Sequence, residues 1–127
     1  MNKKRGNITK EHKLFIDGIN AFNKRQFYDA HEFWEDLWLN YKLEDANFVQ
    51  GLIQLAVSYF HFFNKNLNGA RSMMKKSLAK FETYEQSRGI DVFYLKEEMR
   101  KVQLFFNTAI DTAMIKDCYI IKIEVLD

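Results

Sequence analysis

The stretch that decides the fold is residues 46–64, ANFVQGLIQLAVSYFHFFN, which contains no Asp, Glu, Lys or Arg. A run of this length is long enough to span a membrane. However, polar residues interrupt it, and the rest of the chain offers no second candidate span. The interrupting residues are Gln50, Gln54, Ser58 and His61. Because a helix that is apolar on nearly all sides is also typical of the centre of a bundle, the stretch predicts a central bundle helix, and we expect no membrane span.

The polar residues of this central helix lie close together on its surface. By helical geometry, Gln50, Gln54 and His61 fall within about 40° of each other, and Ser58 lies beside them. An unpaired buried amide costs about 1–3 kcal/mol. The stripe therefore predicts polar groups on a neighbouring helix that pair with it.

The preceding helix, predicted over 26–41, offers such groups in the stretch HEFWEDLW at 31–38. His31 and Glu35 are four residues apart and Trp38 follows three residues later, so all three share one side of a helix. An imidazole and a carboxylate at this spacing can bind a divalent metal or hydrogen-bond to each other. The run lacks the second His of the zinc-protease signature, and we therefore reject a protease of that class.

The loop at 42–45 is short, so the two helices should pack as an antiparallel hairpin. This register brings the motif opposite the polar stripe. The predicted neighbours are Trp38 with Gln50, Glu35 with Gln54, and His31 with Ser58 or His61. We therefore expect one shared polar site between the two helices.

Two interpretations of this polar site are open. In the first, Gln50 and Gln54 hold His31 and Glu35 in a buried hydrogen-bond network that fixes the helix register. In the second, His31, Glu35 and His61 bind a metal ion, with zinc, iron or manganese as the candidates. The two glutamines favour the network, because amides are poor zinc ligands.

The rest of the chain also has helical character. The pattern predicts a first helix over 10–24, a fourth that begins after Asn66 or Asn68, and a fifth over 91–115. The tail CYIIKIEVL at 118–126 changes to β-branched residues with a period of two. This tail can pack as an extended arm, continue the helix, or pair with another subunit.

A weak internal repeat indicates how the helices are arranged. The segment FNKRQF at 22–27 returns as FNKNL at 63–67, about 40 residues later, each before a helix with Ala near its start. Two hairpins of similar, tetratricopeptide-like plan would produce this pattern. The sequence therefore predicts one all-α domain over 1–127, an antiparallel bundle of about five helices with an extended C-terminal arm.

Composition excludes several classes of function. The chain of 127 residues has a net charge of +2 and a single cysteine. The small charge gives no strong attraction to nucleic acid or to an anionic membrane. Cys118 alone cannot form an intramolecular disulfide, and no apolar segment follows the basic residues near the N-terminus to make a signal peptide. We therefore expect a cytoplasmic protein that does not bind nucleic acid.

The motif resembles that of a bacterial and archaeal family, domain of unknown function 309, whose mark is His-x-x-x-Glu-x-x-Trp/Tyr. In this chain the residues are His31, Glu35 and Trp38, and two further segments resemble the family, FVQGLIQLAVSYFHFF at 48–63 and NLNGA at 66–70. The resemblance covers roughly 12–82 and leaves the C-terminal helix and arm, 91–127, outside. It implies an all-helical fold and a motif suggested to bind metal, with Trp38 as packing support. It implies no substrate, because the activity of the family is not established.

Three functions fit these observations. The favoured one is a helical interaction module, which binds a partner or a second copy through grooves between hairpins or through the C-terminal arm. The second is a metal-dependent hydrolase, in which an ion held by His31, Glu35 and His61 activates water. The third is a small-ligand binder that uses the aromatic residues and the Gln/His stripe. An open cavity with converging ligands would favour the hydrolase, and a closed apolar pocket with a polar wall would favour the ligand binder.

Overall fold

A computed structural model describes residues 9–126 of the chain. This part contains five α-helices, one short antiparallel hairpin and one 3-10 segment. In chain order the elements are α1 (Lys10–Asn23), α2 (Phe27–Asn40), α3 (Ala46–Phe63), α4 (Leu67–Phe81), β1 (Gln86–Ser87), β2 (Ile90–Asp91), α5 (Val92–Thr108) and the 3-10 segment (Thr112–Asp117). The predicted all-α bundle is confirmed. Within residues 9–126, no helix is long and apolar enough to cross a membrane.

The first four helices form two hairpins with the same turn. Arg25 and Lys65, which follow α1 and α3, both have a φ of 64° in the left-handed region. The N–H of Gln26 donates to the Ala21 carbonyl at 2.9 Å. In the second turn, the N–H of Asn66 donates to the His61 carbonyl, also five positions earlier, at 2.8 Å. This combination is the Schellman motif, which satisfies the last carbonyls of a helix. The repeat in the sequence is therefore a repeat of this turn, and α2 and α4 each begin two residues after the left-handed residue.

α3 lies between α2 and α4, and half of its 18 residues are buried. Glycine permits the closest helix contacts. A Cβ atom on Gly51 would lie 2.7 Å from the Phe81 ring, and the Ser77 hydroxyl donates to the Gly51 carbonyl at 2.6 Å. A Cβ atom on Gly18 of α1 would overlap the Trp34 indole of α2. Larger residues at these two positions would separate the helices and open the core.

The β1–β2 hairpin joins three distant parts of the chain. Its turn residues Arg88 and Gly89 have φ values of 51° and 80°, as a two-residue type I′ turn requires. The Arg88 guanidinium donates two hydrogen bonds to the Asp45 carboxylate, at 2.7 and 3.0 Å, and lies 5.3 Å from the centre of the Phe15 ring. The Gly89 carbonyl accepts the Leu126 N–H at 2.7 Å. The turn therefore ties α1, the loop before α3 and the end of the chain together.

Residues 118–126 form an irregular, non-helical arm that packs on the helices of its own chain. Ile121 and Ile123 of the arm are buried in the core. The Asn23 side chain of α1 accepts the Ile123 N–H and donates to the Ile123 carbonyl, both at 2.8 Å. The Tyr59 hydroxyl of α3 accepts the Ile121 N–H at 3.0 Å. Of the three fates that the sequence left open for this tail, packing as an arm is the one observed.

The fifth helix is shorter than the sequence predicted. It ends at Thr108 rather than near 115, because Ala109 has an extended ψ of 142°. The Arg71 guanidinium of α4 donates to the carbonyls of Phe106 and Ala109, at 2.7 and 3.0 Å. A cation that binds the last carbonyls stabilises a helix end, so a side chain of α4 fixes where α5 ends.

Candidate functional site

The first two motif residues are adjacent on α2. The Nε2 atom of His31 lies 3.5 Å from the Oε1 atom of Glu35, and the two form an ion pair when the imidazole is protonated. His31 is half-buried, whereas the side chain of Glu35 is 48% exposed. Trp38 is also partly exposed, and the buried indole on this helix is that of Trp34. The motif therefore lies at the edge of the core rather than inside it.

The polar stripe of α3 is only partly covered. Gln50, Gln54 and His61 are half-buried, and the buried hydroxyl of Ser58 donates to the Leu55 carbonyl of its own helix at 2.7 Å. The Oε1 atom of Gln54 is buried, and it has no hydrogen-bond partner within the described part of the chain. The stripe is thus a half-buried surface of the central helix, with one polar atom left unpaired.

The motif on α2 and the polar stripe on α3 approach each other near Tyr28. The Tyr28 ring lies 5.5 Å from the His31 ring on its own helix and 5.5 Å from the Phe60 ring of α3. Phe60 is the neighbour of His61, so this contact agrees with the predicted register at that end of the hairpin.

The predicted hydrogen-bond network is not formed. Among residues 9–126, no hydrogen bond joins Gln50 or Gln54 to His31 or Glu35. Two physical reasons account for this. Glu35 points towards solvent because α2 is not covered on that side, and His31 finds its polar neighbour on its own helix. Within the described residues, the motif on α2 and the polar stripe on α3 are therefore not joined by hydrogen bonds between these side chains.

The donor set does not fit the metal site suggested for the family. The Nδ1 atom of His61 lies 3.3 Å from the Asn66 side-chain amide in the α3–α4 turn. Across the described residues, no group of three or more His, Cys, Asp or Glu side chains could hold a metal ion. Stable zinc sites use three or four protein ligands, whereas only His31 and Glu35 converge here.

The exposed side of α2 carries a second row of residues outside the predicted motif. Its residues recur at intervals of four, three and four positions and fall within about 60° of each other on the helix. They are Tyr28, Glu32, Glu35 and Leu39, which we name the acidic seam. Tyr28 is 50% exposed and Leu39 is 65% exposed. The signal was present in the sequence as a second apolar pair on the polar side of the helix.

The acidic seam has a negative electrostatic environment. Hydrogen bonding with the Glu32 carboxylate, and then its charge, raise the pKa of the exposed Tyr28 hydroxyl. The charges of Glu35 and Asp29 act in the same direction. α2 contains a fourth carboxylate, Asp36, and no Lys or Arg. Exposed apolar side chains here therefore lie among four carboxylates, of which Glu35 alone has a basic partner on α2, the His31 imidazole.

Comparison with known proteins identifies a family match in residues 15–73 of the chain. No curated protein matches the sequence. The family model described as "Domain of unknown function (DUF309)" matches residues 15–73, which run from α1 into α4 and include the motif and the whole of α3. The match covers just under half of the 127 residues and leaves α5 and the arm outside. The chain therefore carries a DUF309 segment at 15–73, and the family resemblance predicted from the sequence is confirmed.

Proposed function

We propose that this protein is a helical interaction module that binds a basic amphipathic helix of a partner protein along the acidic seam of α2. The supporting observation is the exposure of Tyr28 and Leu39 at the two ends of this seam, with two carboxylates between them. An amphipathic helix binds such a face through anchors that repeat every three or four residues. The face offers both apolar anchors and a charge that selects the partner.

The arrangement of charges indicates what kind of helix binds. In an antiparallel pairing with a second α2, each end of the seam would meet an apolar residue, but Glu32 would meet Glu35 of the other copy. Facing carboxylates repel, and like charges across an interface disfavour a pairing. The complementary helix therefore has Lys or Arg at the two central positions and apolar residues at the ends. No part of the seam itself supplies these cations, so the partner is a different segment or protein.

The two alternative functions have weaker support. A metal-dependent hydrolase would need a third ligand beside His31 and Glu35, and His61 instead contacts Asn66. A small-ligand binder is supported by one observation, the unpaired buried Oε1 atom of Gln54, which a donor group on a ligand would satisfy. Substituting Gln54→Met tests this alternative, because it should leave peptide binding unchanged and abolish binding of such a ligand. We place the module in the cytoplasm as part of the proposal.

A designed peptide tests the proposal directly. The probe is a short helical peptide with two leucines eleven residues apart and two lysines between them, at the spacing of the acidic seam. Trp38 lies at the edge of this face, whereas Trp34 is buried, so a change in tryptophan fluorescence reports binding near the seam. We expect saturable binding that weakens as salt is raised, because the attraction is partly between exposed charges. A control peptide with glutamates in place of the lysines should not bind.

Charge reversal provides matched variants for the same titration. Glu32→Lys with Glu35→Lys should abolish binding of the lysine peptide and create binding of the glutamate peptide. Glu44→Lys with Glu82→Lys changes the net charge equally at exposed positions outside α2, and should leave both results unchanged. If the lysine peptide binds both double variants equally, or does not bind the wild type, the proposed function is wrong.

A further inference from the structure

The outward face of α5 carries a second seam with the spacing of the acidic seam but a different charge pattern. Its residues again recur at intervals of four, three and four positions, within about 60° on the helix. They are Phe93, Glu97, Arg100 and Leu104, which we name the α5 seam. Phe93 and Leu104 are 63% and 65% exposed, and no other helix within residues 9–126 covers them. The buried residues of α5 lie on the opposite side, so the helix is held in the bundle while this seam faces outward.

We propose that the α5 seam binds the α5 seam of a second copy of this chain, in an antiparallel, two-fold symmetric pair. An axis between Glu98 and Met99 places Phe93 against Leu104 of the second copy and Glu97 against Arg100 of the second copy. Both contacts occur twice because a two-fold interface is self-complementary. Spacing of three and four residues is that of a coiled-coil seam, and antiparallel helices pair its two kinds of position with each other.

The charge pattern favours this occupant and this direction. Glu97 and Arg100 have opposite charges and are interchanged by the two-fold axis, so every central charge meets its opposite. A parallel pair would set Glu97 against Glu97 and Arg100 against Arg100, which repels. The acidic seam of α2 has two carboxylates at the equivalent positions and cannot pair with itself in either direction. The two seams have the same spacing but different charges. We therefore assign the acidic seam to a helix of another protein and the α5 seam to a second copy of this chain.

The charges on the α5 seam are available to a partner. Within one chain, the Nη1 atom of Arg100 lies 3.0 Å from the Oε2 atom of Glu97, and both side chains are more than half exposed. An exposed ion pair of this kind contributes little to stability. Replacing the Glu97–Arg100 pair within one chain by the same pair between two copies therefore costs little. The flanking Lys101 is paired with the Glu98 carboxylate at 3.0 Å, which reduces repulsion between the lysines beside the seam.

The length of the seam sets the expected strength. Four positions on one helix make a contact smaller than standard specific interfaces, which total about 1,200–2,000 Å². We therefore expect a reversible dimer that dissociates on dilution. Sedimentation velocity of the full chain over a range of concentrations should show a monomer that converts to a dimer in the micromolar to high micromolar range.

Two single charge reversals separate this pairing from any effect within one chain. Glu97→Arg leaves only positive charges at the centre of the seam, and Arg100→Glu leaves only negative ones, so each variant alone should remain monomeric. Mixing the two should give a heterodimer, because every central contact is then between opposite charges. The heterodimer cannot arise from the contact within one helix, since both variants lack it. The double variant, Glu97→Arg with Arg100→Glu, should recover the dimer of the wild type.

Other outcomes would overturn the proposal. A wild type that stays monomeric at the highest concentration overturns it, as does a dimer that persists in both single variants. Phe93→Ser with Leu104→Ser should abolish the dimer with an unchanged helical circular dichroism spectrum. The reversal Glu32→Lys with Glu35→Lys on α2 should leave the dimer intact, so failure of the dimer and failure of peptide binding are distinguishable.

Discussion

At the scale of single residues, the His31–Glu35 pair is a contact between neighbouring turns of one helix. Side-chain pairs at this spacing on a helix contribute about 0.2–0.5 kcal/mol. We expect His31→Ala and Glu35→Ala each to lower the free energy of unfolding by no more than about 0.5 kcal/mol in urea titrations. Trp34→Ala, on the same helix but fully buried, should cost about 3–5 kcal/mol. A loss near that of Trp34→Ala for His31→Ala would restore the buried-network interpretation.

The thiol of Cys118 offers a second test at this scale. Burial raises the pKa of Cys118 to about 12, and the charge of Arg25 only partly opposes this effect. The thiolate is the reactive form, so the folded protein should react with a disulfide reagent at pH 8 at least about 100-fold more slowly than the same protein in urea. The folded pKa exceeds the unfolded one, so Cys118 favours folding below about pH 8.5 and loses this effect as the pH rises towards 12. Equal rates in buffer and in urea would contradict the burial of this thiol.

Sequence reasoning identified the motif and the stripe but not how their side chains pair. Helical periodicity shows which residues share a face. It was therefore possible to predict that His31 and Glu35 are neighbours on α2 and that the polar residues of α3 form one stripe. Whether Gln54 meets Glu35 depends on a rotation of α2 that sequence spacing does not specify. The outward position of Glu35 follows from the absence of a covering helix on that side, which is a property of the whole bundle.

At the scale of helices and turns, the two Schellman motifs place charged residues where glycine is usual. Arg25 and Lys65 adopt a left-handed φ of 64°, which costs a residue with a Cβ atom about 1 kcal/mol. Arg25→Gly and Lys65→Gly should therefore each raise the free energy of unfolding by about 0.5–1 kcal/mol. The residues one position earlier, Lys24 and Asn64, have negative φ values.

Those preceding residues supply the control for the glycine substitutions. Lys24→Gly and Asn64→Gly gain nothing from left-handed freedom and increase the entropy of the unfolded chain, so both should lower the melting temperature. Thermal unfolding of the four variants side by side checks the prediction. A gain in stability at Lys24 or Asn64, or a loss at Arg25 or Lys65, would contradict it.

Element types were easier to predict than element ends. Apolar periodicity was strong in all five helices, and the repeat about FNK marked both hairpin turns. The end of α5 could not be predicted, because the carbonyls of Phe106 and Ala109 are bound by Arg71, which is distant in the sequence. The β1–β2 hairpin was also missed, since its two strands have two residues each and give no periodic signal.

At the scale of the whole molecule, the Asp45–Arg88 pair connects the loop before α3 to the β1–β2 turn. Burial acts to raise the pKa of Asp45, but the hydrogen bonds and charge of Arg88 outweigh it, so this pKa lies below its usual value. The pair therefore stabilises the fold above about pH 4, the unfolded pKa, and the effect is lost as the pH falls through the folded pKa. Asp45→Asn should lower stability at pH 7 and flatten the acid side of the stability curve between about pH 5 and 2. Equal slopes in the two proteins would contradict this role.

The C-terminal arm completes the hydrophobic core. It lies outside the DUF309 segment, yet its Ile121 and Ile123 side chains are buried. Ile121→Ala and Ile123→Ala should each cost about 2–4 kcal/mol, whereas Lys122→Ala, exposed between them, should be near neutral. Asn23→Ala and Tyr59→Phe leave arm N–H groups unpaired, at about 1–3 kcal/mol each. If the arm detaches as one unit, the Asn23→Ala, Tyr59→Phe double variant should lose less than the sum of the single losses in urea titrations. Strict additivity would mean that each contact breaks independently, and that the arm is held at separate points rather than as a part of the core.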